Sequence, residues 1–164
     1  MSISVAARPR QTPSSPIALV LFVAAVTAVA VIGGLAAGSS SETYQELELP
    51  AFAPPSSVFG PVWTVLYATI AVAGWLAWRQ AGADRSLALY AVQLVLNACW
   101  TPLFFAAGLY GVALVEIVVL LGFVVATIVA YWRRSRAAAL LLIPYAGWVA
   151  FATALNASIW WLNR

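Results

Sequence analysis

The feature of this sequence that most constrains its fold is the distribution of its charged residues. Five apolar stretches lie between residues 16 and 161, and only one of them carries an acid or a base away from its ends, at Glu116. A run of about 20 apolar residues crosses the roughly 30 Å hydrocarbon core of a bilayer. An α-helix also satisfies its backbone polar groups within the segment. The sequence therefore predicts an all-α integral membrane protein, a bundle of five transmembrane helices.

One membrane domain behind a short tail is the predicted organisation. Residues 1–16 are expected to form an N-terminal cytoplasmic tail, and residues 17–162 the five-helix domain. The predicted helices span about 17–37, 57–79, 85–106, 110–132 and 137–162. The first apolar run exceeds the signal-peptide core of up to about 15 residues, so cleavage is not expected. The longest connection, about 38–56, is rich in proline, which blocks helix continuation, and is the best candidate for a lid.

Arginine positions predict the orientation in the membrane. All eight basic residues are Arg, and seven of them fall in the N-terminal tail and the two short turns between helices 2 and 3 and helices 4 and 5. Only Arg164 falls on the opposite side, which carries three Glu in the long loop. This positive-inside bias predicts a multi-pass protein of a bacterial inner membrane with a cytoplasmic N-terminus. Because the Arg residues lie at helix ends, the net charge of +3 does not indicate nucleic-acid binding.

Several kinds of chemistry are missing from the sequence. There is no His, and Cys99 is the single Cys. Neither a metal-ligand cluster nor a nucleophile–base pair is recognisable. No catalytic or metal-binding residue is therefore assigned, and no cofactor is expected to be required.

Polar and aromatic side chains share one face on each of three predicted helices, because their spacings are three or four residues. They are Trp63 and Tyr67 on the second helix, Tyr90, Gln93, Asn97 and Trp100 on the third, and Tyr145, Trp148, Ala152 and Asn156 on the fifth. Such faces point into a bundle, where they form hydrogen bonds that only hold helices together. They also suit the wall of a pocket for a flat, largely apolar ligand. The pattern leaves both interpretations open.

Two further features bear on function. Glu116 is an acid inside a predicted span, which is a functional candidate by default, although a hydrogen-bonded structural role is equally compatible with it. Small residues repeat on the third and fourth helices, at Ala91 and Ala98 and from Gly122 to Ala130. Small faces allow close helix contact and favour a homodimer.

Three stretches carry a resemblance to a known family. They are PAFAPPSSVFGPVWTVLYA at 50–68, LYAVQLVLNACWTPLFF at 89–105 and PYAGWVAFATALNASIW at 144–160. In these motifs the chain resembles the tryptophan-rich sensory protein family, TspO, whose eukaryotic members are the translocator protein or peripheral benzodiazepine receptor. The resemblance covers about residues 17–162. It implies a five-helix bundle with a pocket toward the loop at 38–56, commonly a homodimer, that binds porphyrins, sterols and isoquinoline carboxamides or benzodiazepines.

The resemblance also implies site residues by motif position. Trp63 and Trp148 correspond to the paired pocket tryptophans. The remaining candidate ligand-binding residues, from the motifs and the faces above, are Phe59, Gly60, Val62, Tyr67, Gln93, Asn97, Trp100, Tyr145, Ala152, Leu155 and Asn156. The chain departs from the family in its loop, which lacks the usual Lys and Trp, and in Val112, which replaces a pocket Trp of the animal members. Its C-terminal end lacks the Tyr of the sterol consensus, so sterol binding is disfavoured.

The function that the resemblance implies is a receptor or sensor for tetrapyrroles such as protoporphyrin IX, which it also regulates or moves. Porphyrin is then a ligand that needs no axial His. One alternative is an enzyme that degrades porphyrin in the light through its pocket tryptophans. Another is a transporter or channel, for which Glu116 is the main support.

Overall fold

The computed structural model describes residues 16–38 and 40–164, and within them the secondary structure is entirely helical. The α-helices are α1 (Pro16–Ala36), α2 (Ser40–Glu46), α3 (Phe59–Ala81), α4 (Arg85–Thr101), α5 (Tyr110–Trp132) and α6 (Arg136–Leu162). A 3₁₀ turn, Ser56–Val58, leads into α3, and a π-helical turn, Pro102–Ala106, extends α4. Apart from α2, each helix is long and apolar enough to cross a membrane, α4 together with its π-helical turn.

The five predicted spans are thus confirmed, with two local differences. The predicted loop contains the short helix α2, and the predicted third helix changes to π geometry at Pro102. Proline has no N–H, so it interrupts the α-helical hydrogen-bond ladder. The Ala107 amide instead donates to the Pro102 carbonyl at 2.9 Å, the i to i+5 bond of a π turn. The predicted tail covers residues 1–16. Residues 1–15 lie outside the described residues, and Pro16 begins α1.

The helices form a closed ring in the order α1, α3, α6, α5, α4. Helix α1 packs against α3 and α4, α5 packs against α4 and α6, and α6 closes the ring on α3. We call the end of the bundle with residues 37–58 the loop end, and the end with the α3–α4 and α5–α6 turns the turn end. Large apolar side chains such as Leu35, Val65 and Val115, each more than 60% exposed, cover the outside of the ring. Such a surface suits lipid contact.

Polar contacts close the turn end. The Asp84 carboxylate caps α4 by accepting a hydrogen bond from the Ser86 amide at 2.9 Å. It also pairs with Arg134 at 3.3 Å, which ties the α3–α4 turn to the α5–α6 turn. Burial opposes ionisation of Asp84, but the Ser86 hydrogen bonds and the Arg134 guanidinium outweigh burial and hold its pKa below the usual value.

The turn-end half of the bundle is filled by aromatic side chains. Tyr90 donates to the Ile70 carbonyl at 3.1 Å and stacks on Tyr131 with 6.4 Å between ring centroids. A Cβ added to Gly74 of α3 would lie 2.8 Å from a ring carbon of Phe22, so α1 and α3 touch here with no room for a side chain. The glycine makes this close approach possible.

Candidate ligand pocket

A cavity of about 650 Å³ occupies the loop-end half of the bundle, between α1, α3, α4 and α6. Its volume lies within the range of about 300–1,000 Å³ typical of small-molecule sites. Its walls are mainly apolar. Aromatic rings come from several elements, and those that line the cavity are Tyr44, Phe59, Trp63, Tyr67, Trp100, Phe104 and Phe105.

Helix α3 supplies one wall. Phe59, Gly60, Trp63 and Tyr67 recur at helical spacing and face the cavity together. The rings of Trp63 and Tyr67 lie 5.1 Å apart with their planes 30° from parallel. The two rings therefore present one extended aromatic surface to the cavity.

The opposite wall joins α4 to α6. The Trp100 indole N–H donates to Oδ1 of Asn156 at 3.2 Å, and Nδ2 of Asn156 donates to the Tyr110 carbonyl at 2.9 Å. Ala152 and Leu155 line the cavity beside them. Both polar atoms of the Asn156 amide thus form hydrogen bonds to α4 and α5, and these bonds hold this wall in place.

A second amide bridge lies behind the cavity. Tyr67 donates its hydroxyl hydrogen to Oδ1 of Asn97 at 3.1 Å, and Nδ2 of Asn97 donates to the Tyr145 hydroxyl at 3.1 Å. Only the Tyr67 end of this chain lines the cavity. One set of polar side chains therefore joins helices and also lines or backs the cavity wall.

The structure places most, but not all, of the sequence-predicted site residues on the cavity. The residues that line it are Phe59, Gly60, Trp63, Tyr67, Trp100, Ala152, Leu155 and Asn156. The residues outside the lining are Val62, Gln93, Asn97, Tyr145 and Trp148.

The five residues outside the lining differ in their surroundings. Asn97 and Tyr145 stand directly behind Tyr67. Trp148 packs edge-to-face on Phe59 at 5.9 Å, so it supports the wall from behind instead of pairing with Trp63 across the cavity. Val62 packs against the core. Gln93 is fully buried, and its amide has no hydrogen-bond partner among the described residues.

Sequence reasoning missed a wall made by α1. Ala30, Gly33, Gly34 and Ala37 line the cavity, as do Thr101 and the π-turn residues Phe104 and Phe105. Helix α1 has no polar or aromatic side chains in this region, so a search for polar and aromatic faces could not find this wall. The pair Gly33–Gly34 near the end of an apolar helix was the available signal, because small residues mark close approach.

The connection between α1 and α3 covers the loop end of the cavity. Tyr44 of α2 lines the cavity, donates its hydroxyl hydrogen to the Pro54 carbonyl at 3.1 Å and packs edge-to-face on Phe59. Burial raises the pKa of Tyr44. The side chain of Asn163 then fastens the loop to the end of α6, because its amide accepts from the Glu48 N–H and donates to the Glu48 carbonyl, both at 3.0 Å.

Glu116 lies away from this cavity. It is not among the lining residues, and both carboxylate oxygens are buried without a hydrogen-bond partner among the described residues. Within the same described ranges, no group of three His, Cys, Asp or Glu side chains could hold a metal ion.

A closed ring of five membrane-spanning helices around a covered, aromatic-lined cavity defines an integral multi-pass membrane protein with an internal pocket. The chain belongs to the TspO/MBR family, whose sequence profile matches residues 20–162. It is 41% identical over 128 residues to the translocator protein of Homo sapiens, a match that covers 75% of this chain and 76% of that protein.

Microbial relatives match over more of the chain. The tryptophan-rich protein TspO of Archaeoglobus fulgidus is 40% identical over 148 residues, which cover 88% of this chain and 96% of that protein. The tryptophan-rich sensory protein of Cereibacter sphaeroides is 37% identical over 142 residues, which cover 87% of this chain and 89% of that protein.

Proposed function

We propose that this protein is a membrane receptor and sensor that binds tetrapyrroles such as protoporphyrin IX in the loop-end cavity. The single observation that carries the proposal is the aromatic lining, in which Trp63 and Tyr67 on one side face a wall built on Trp100. Flat aromatic ligands stack on such rings in offset or edge-on geometries. Related apolar ligands, such as isoquinoline carboxamides, fit the same chemistry, whereas sterols remain disfavoured by the C-terminal sequence.

The polar groups of the cavity suit a ligand that needs few hydrogen bonds. Tyr44, Trp100 and Asn156 already have protein partners for the groups named above. Hydroxyl side chains of Ser57 and Thr101 also line the cavity, where they can meet the polar edge of a macrocycle. Because the chain has no His, binding of a metal-free tetrapyrrole by stacking is the mode that fits it best.

The names of the relatives, translocator protein and tryptophan-rich sensory protein, support moving or sensing a ligand. Movement across the membrane is the weaker of the two proposals. The cavity residues lie in the loop-end half, and Glu116 is not among them. A polar path through the turn-end half would have to pass the packed rings of Tyr90 and Tyr131.

A light-dependent breakdown of the bound porphyrin is a second candidate. It is favoured by the two indoles, Trp63 and Trp100, that line the cavity. Illumination of the complex in the presence of oxygen should then bleach the porphyrin absorbance. Bleaching by a Trp63→Phe variant at the wild-type rate would remove the support for this reaction.

We further propose a bacterial inner-membrane location with the turn end cytoplasmic, and a homodimer. Arg85, Arg133, Arg134 and Arg136 at the turn end fit the positive-inside rule. An apolar groove between α1 and α4, which contains Ala91, Ala98 and the exposed Cys99, supports the dimer as a close-packing surface. Cross-linking of Cys99 in native membranes by a short bis-maleimide tests it, and a Cys99→Ser variant is the control.

The proposed receptor function is tested by titrating the purified protein with protoporphyrin IX in the dark and recording tryptophan fluorescence. Saturable quenching that isoquinoline carboxamide competes away is the expected result. Quenching that rises linearly with porphyrin, as free tryptophan in the same detergent does, would mean partitioning into the micelle and would contradict the proposal.

A further inference from the structure

Helices α1 and α3 touch near the turn end, whereas a glycine of each helix nearer the loop end has open space beside it. At Gly74 the two helices are so close that a Cβ would lie 2.8 Å from Phe22. At Gly34 of α1 and Gly60 of α3, a Cβ would meet no heavy atom within 4 Å. Both of these open glycines line the cavity.

The residues at this open space are exposed as well as cavity-lining. Gly34, Gly60 and Thr64 are all exposed, they adjoin the outward-facing Leu35 and Val65, and they also line the cavity. Thr64 lies five residues inside α3, which is roughly 8 Å along the helix axis from its start. The opening therefore reaches into the span and is not confined to the loop end.

The chemistry of the opening suits hydrocarbon. On its α3 side the Thr64 hydroxyl donates to the Gly60 carbonyl of its own helix at 2.9 Å, and the Tyr67 hydroxyl donates to Asn97 at 3.1 Å. The two glycines add no side chain, so the opening presents backbone and methyl groups. Satisfied polar groups are the condition for contact with lipid.

We propose that the cavity exchanges its ligand laterally with the bilayer, through a portal between α1 and α3 bordered by Gly34, Gly60 and Thr64. The inference rests on the proposed function, because it names the route for the tetrapyrrole-like ligand of the same cavity. The ligand class it selects is a molecule that first partitions into the membrane. The loop over the loop end of the cavity then acts as a fixed cover and not as the gate.

The test uses the full chain in lipid nanodiscs and stopped-flow tryptophan quenching by protoporphyrin IX. Gly34→Leu and Gly60→Leu place a side chain in the portal, and Gly147→Leu is the matched control, since Gly147 is an exposed glycine of α6 with equally open space. Both the association and the dissociation rate should fall several-fold in the two portal variants and stay at wild-type values in Gly147→Leu. A narrower route slows passage in both directions.

Two results would overturn the portal. Rates in the portal variants that equal those of Gly147→Leu would place the route elsewhere. Faster dissociation with unchanged association would mean that the new side chain only crowds the pocket.

A second arm needs no ligand and separates failure of the portal from failure of the proposed function. Nanodiscs of acyl-chain-brominated phosphatidylcholine should quench the fluorescence that Trp63 contributes, measured as wild type minus Trp63→Phe, and Gly60→Leu should reduce that quenching. If porphyrin does not bind but brominated lipid still quenches Trp63, the receptor function is contradicted and the portal is not. If brominated lipid does not change the fluorescence that Trp63 contributes, the portal is contradicted.

Discussion

The indole nitrogen of Trp100 donates a hydrogen bond to Oδ1 of Asn156 at 3.2 Å, and this contact joins α4 to α6 at the wall of the cavity. Asn156 is buried and also donates to the Tyr110 carbonyl. One side-chain amide therefore links three of the five spans where the pocket needs a defined shape.

Removal of this donor should destabilise the bundle. In Trp100→Phe the Asn156 oxygen loses its partner in a buried setting, with a loss of about 1 kcal/mol, the range of interhelical hydrogen bonds in membranes. Reversible unfolding in mixed micelles measures the change. Trp132→Phe, at an exposed position on α5, is the control. Equal stability of the two variants would show that the Trp100 hydrogen bond contributes nothing.

Asp84 should matter for stability mainly as a helix cap. Asp84→Ala removes the bond to the Ser86 amide and should lower stability by about 1 kcal/mol, whereas Asp84→Asn keeps a cap and should lose much less. The ion pair with Arg134 adds little because the Arg134 side chain is 54% exposed. Thermal unfolding of both variants in detergent at pH 7 measures this, and two equally destabilised variants would refute the capping role.

The same carboxylate predicts a pH dependence. Its pKa in the folded protein is lowered, so its contribution is fully present above the unfolded value of about 3.9 and is lost as pH falls through the lower folded value. Stability should therefore decline more steeply below about pH 4 in the wild type than in Asp84→Asn. Parallel curves for the two proteins would contradict the prediction.

Asn163 should hold the loop over the cavity. Asn163→Ala removes both hydrogen bonds to the Glu48 backbone, so hydrogen exchange of residues 44–49 should become faster while the five spans stay protected. Ser158→Ala is the control, because that hydroxyl bonds only within α6. Unchanged exchange around Glu48 would mean that the proline-rich segment holds itself in place.

Glu116→Gln should leave the bundle as stable as the wild type or more stable. Both carboxylate oxygens are buried without partners among the described residues, so a neutral isosteric side chain avoids the free energy of burying a charge. Porphyrin binding should not change, since Glu116 does not line the cavity. A loss of ligand flux in proteoliposomes with binding intact would instead favour the transporter alternative.

The five spans could be predicted because charge is excluded from them and accumulates at their ends. The ring order of the helices could not, since a polar face indicates which side of a helix points inward, and hydropathy does not select its neighbours. Spacing placed Asn97 and Asn156 on inward faces correctly. It could not tell that Asn97 stands behind Tyr67 while Asn156 borders the cavity, because a period of 3.6 residues fixes a face and not the distance to the opposite helix.

The α1 wall shows the complementary limit. Ala30, Gly33, Gly34 and Ala37 contribute to the cavity through the absence of bulk. A search for polar or aromatic residues passes over such positions. Helix α2 is similarly hard to predict, because its sequence SSETYQE has the polar composition of a loop and, among its residues of described burial, only Tyr44 is buried.

The most direct measurement is a dark titration with protoporphyrin IX of the wild type, Ala152→Leu and Ala150→Leu. Ala152 lines the cavity, whereas Ala150, two residues earlier on α6, is exposed on the outside of the bundle. Leucine at 152 fills part of the pocket and should raise the Kd at least tenfold, about 1.4 kcal/mol, while leucine at 150 should leave the wild-type Kd unchanged. Saturable quenching with the same Kd in all three proteins would contradict binding in this cavity.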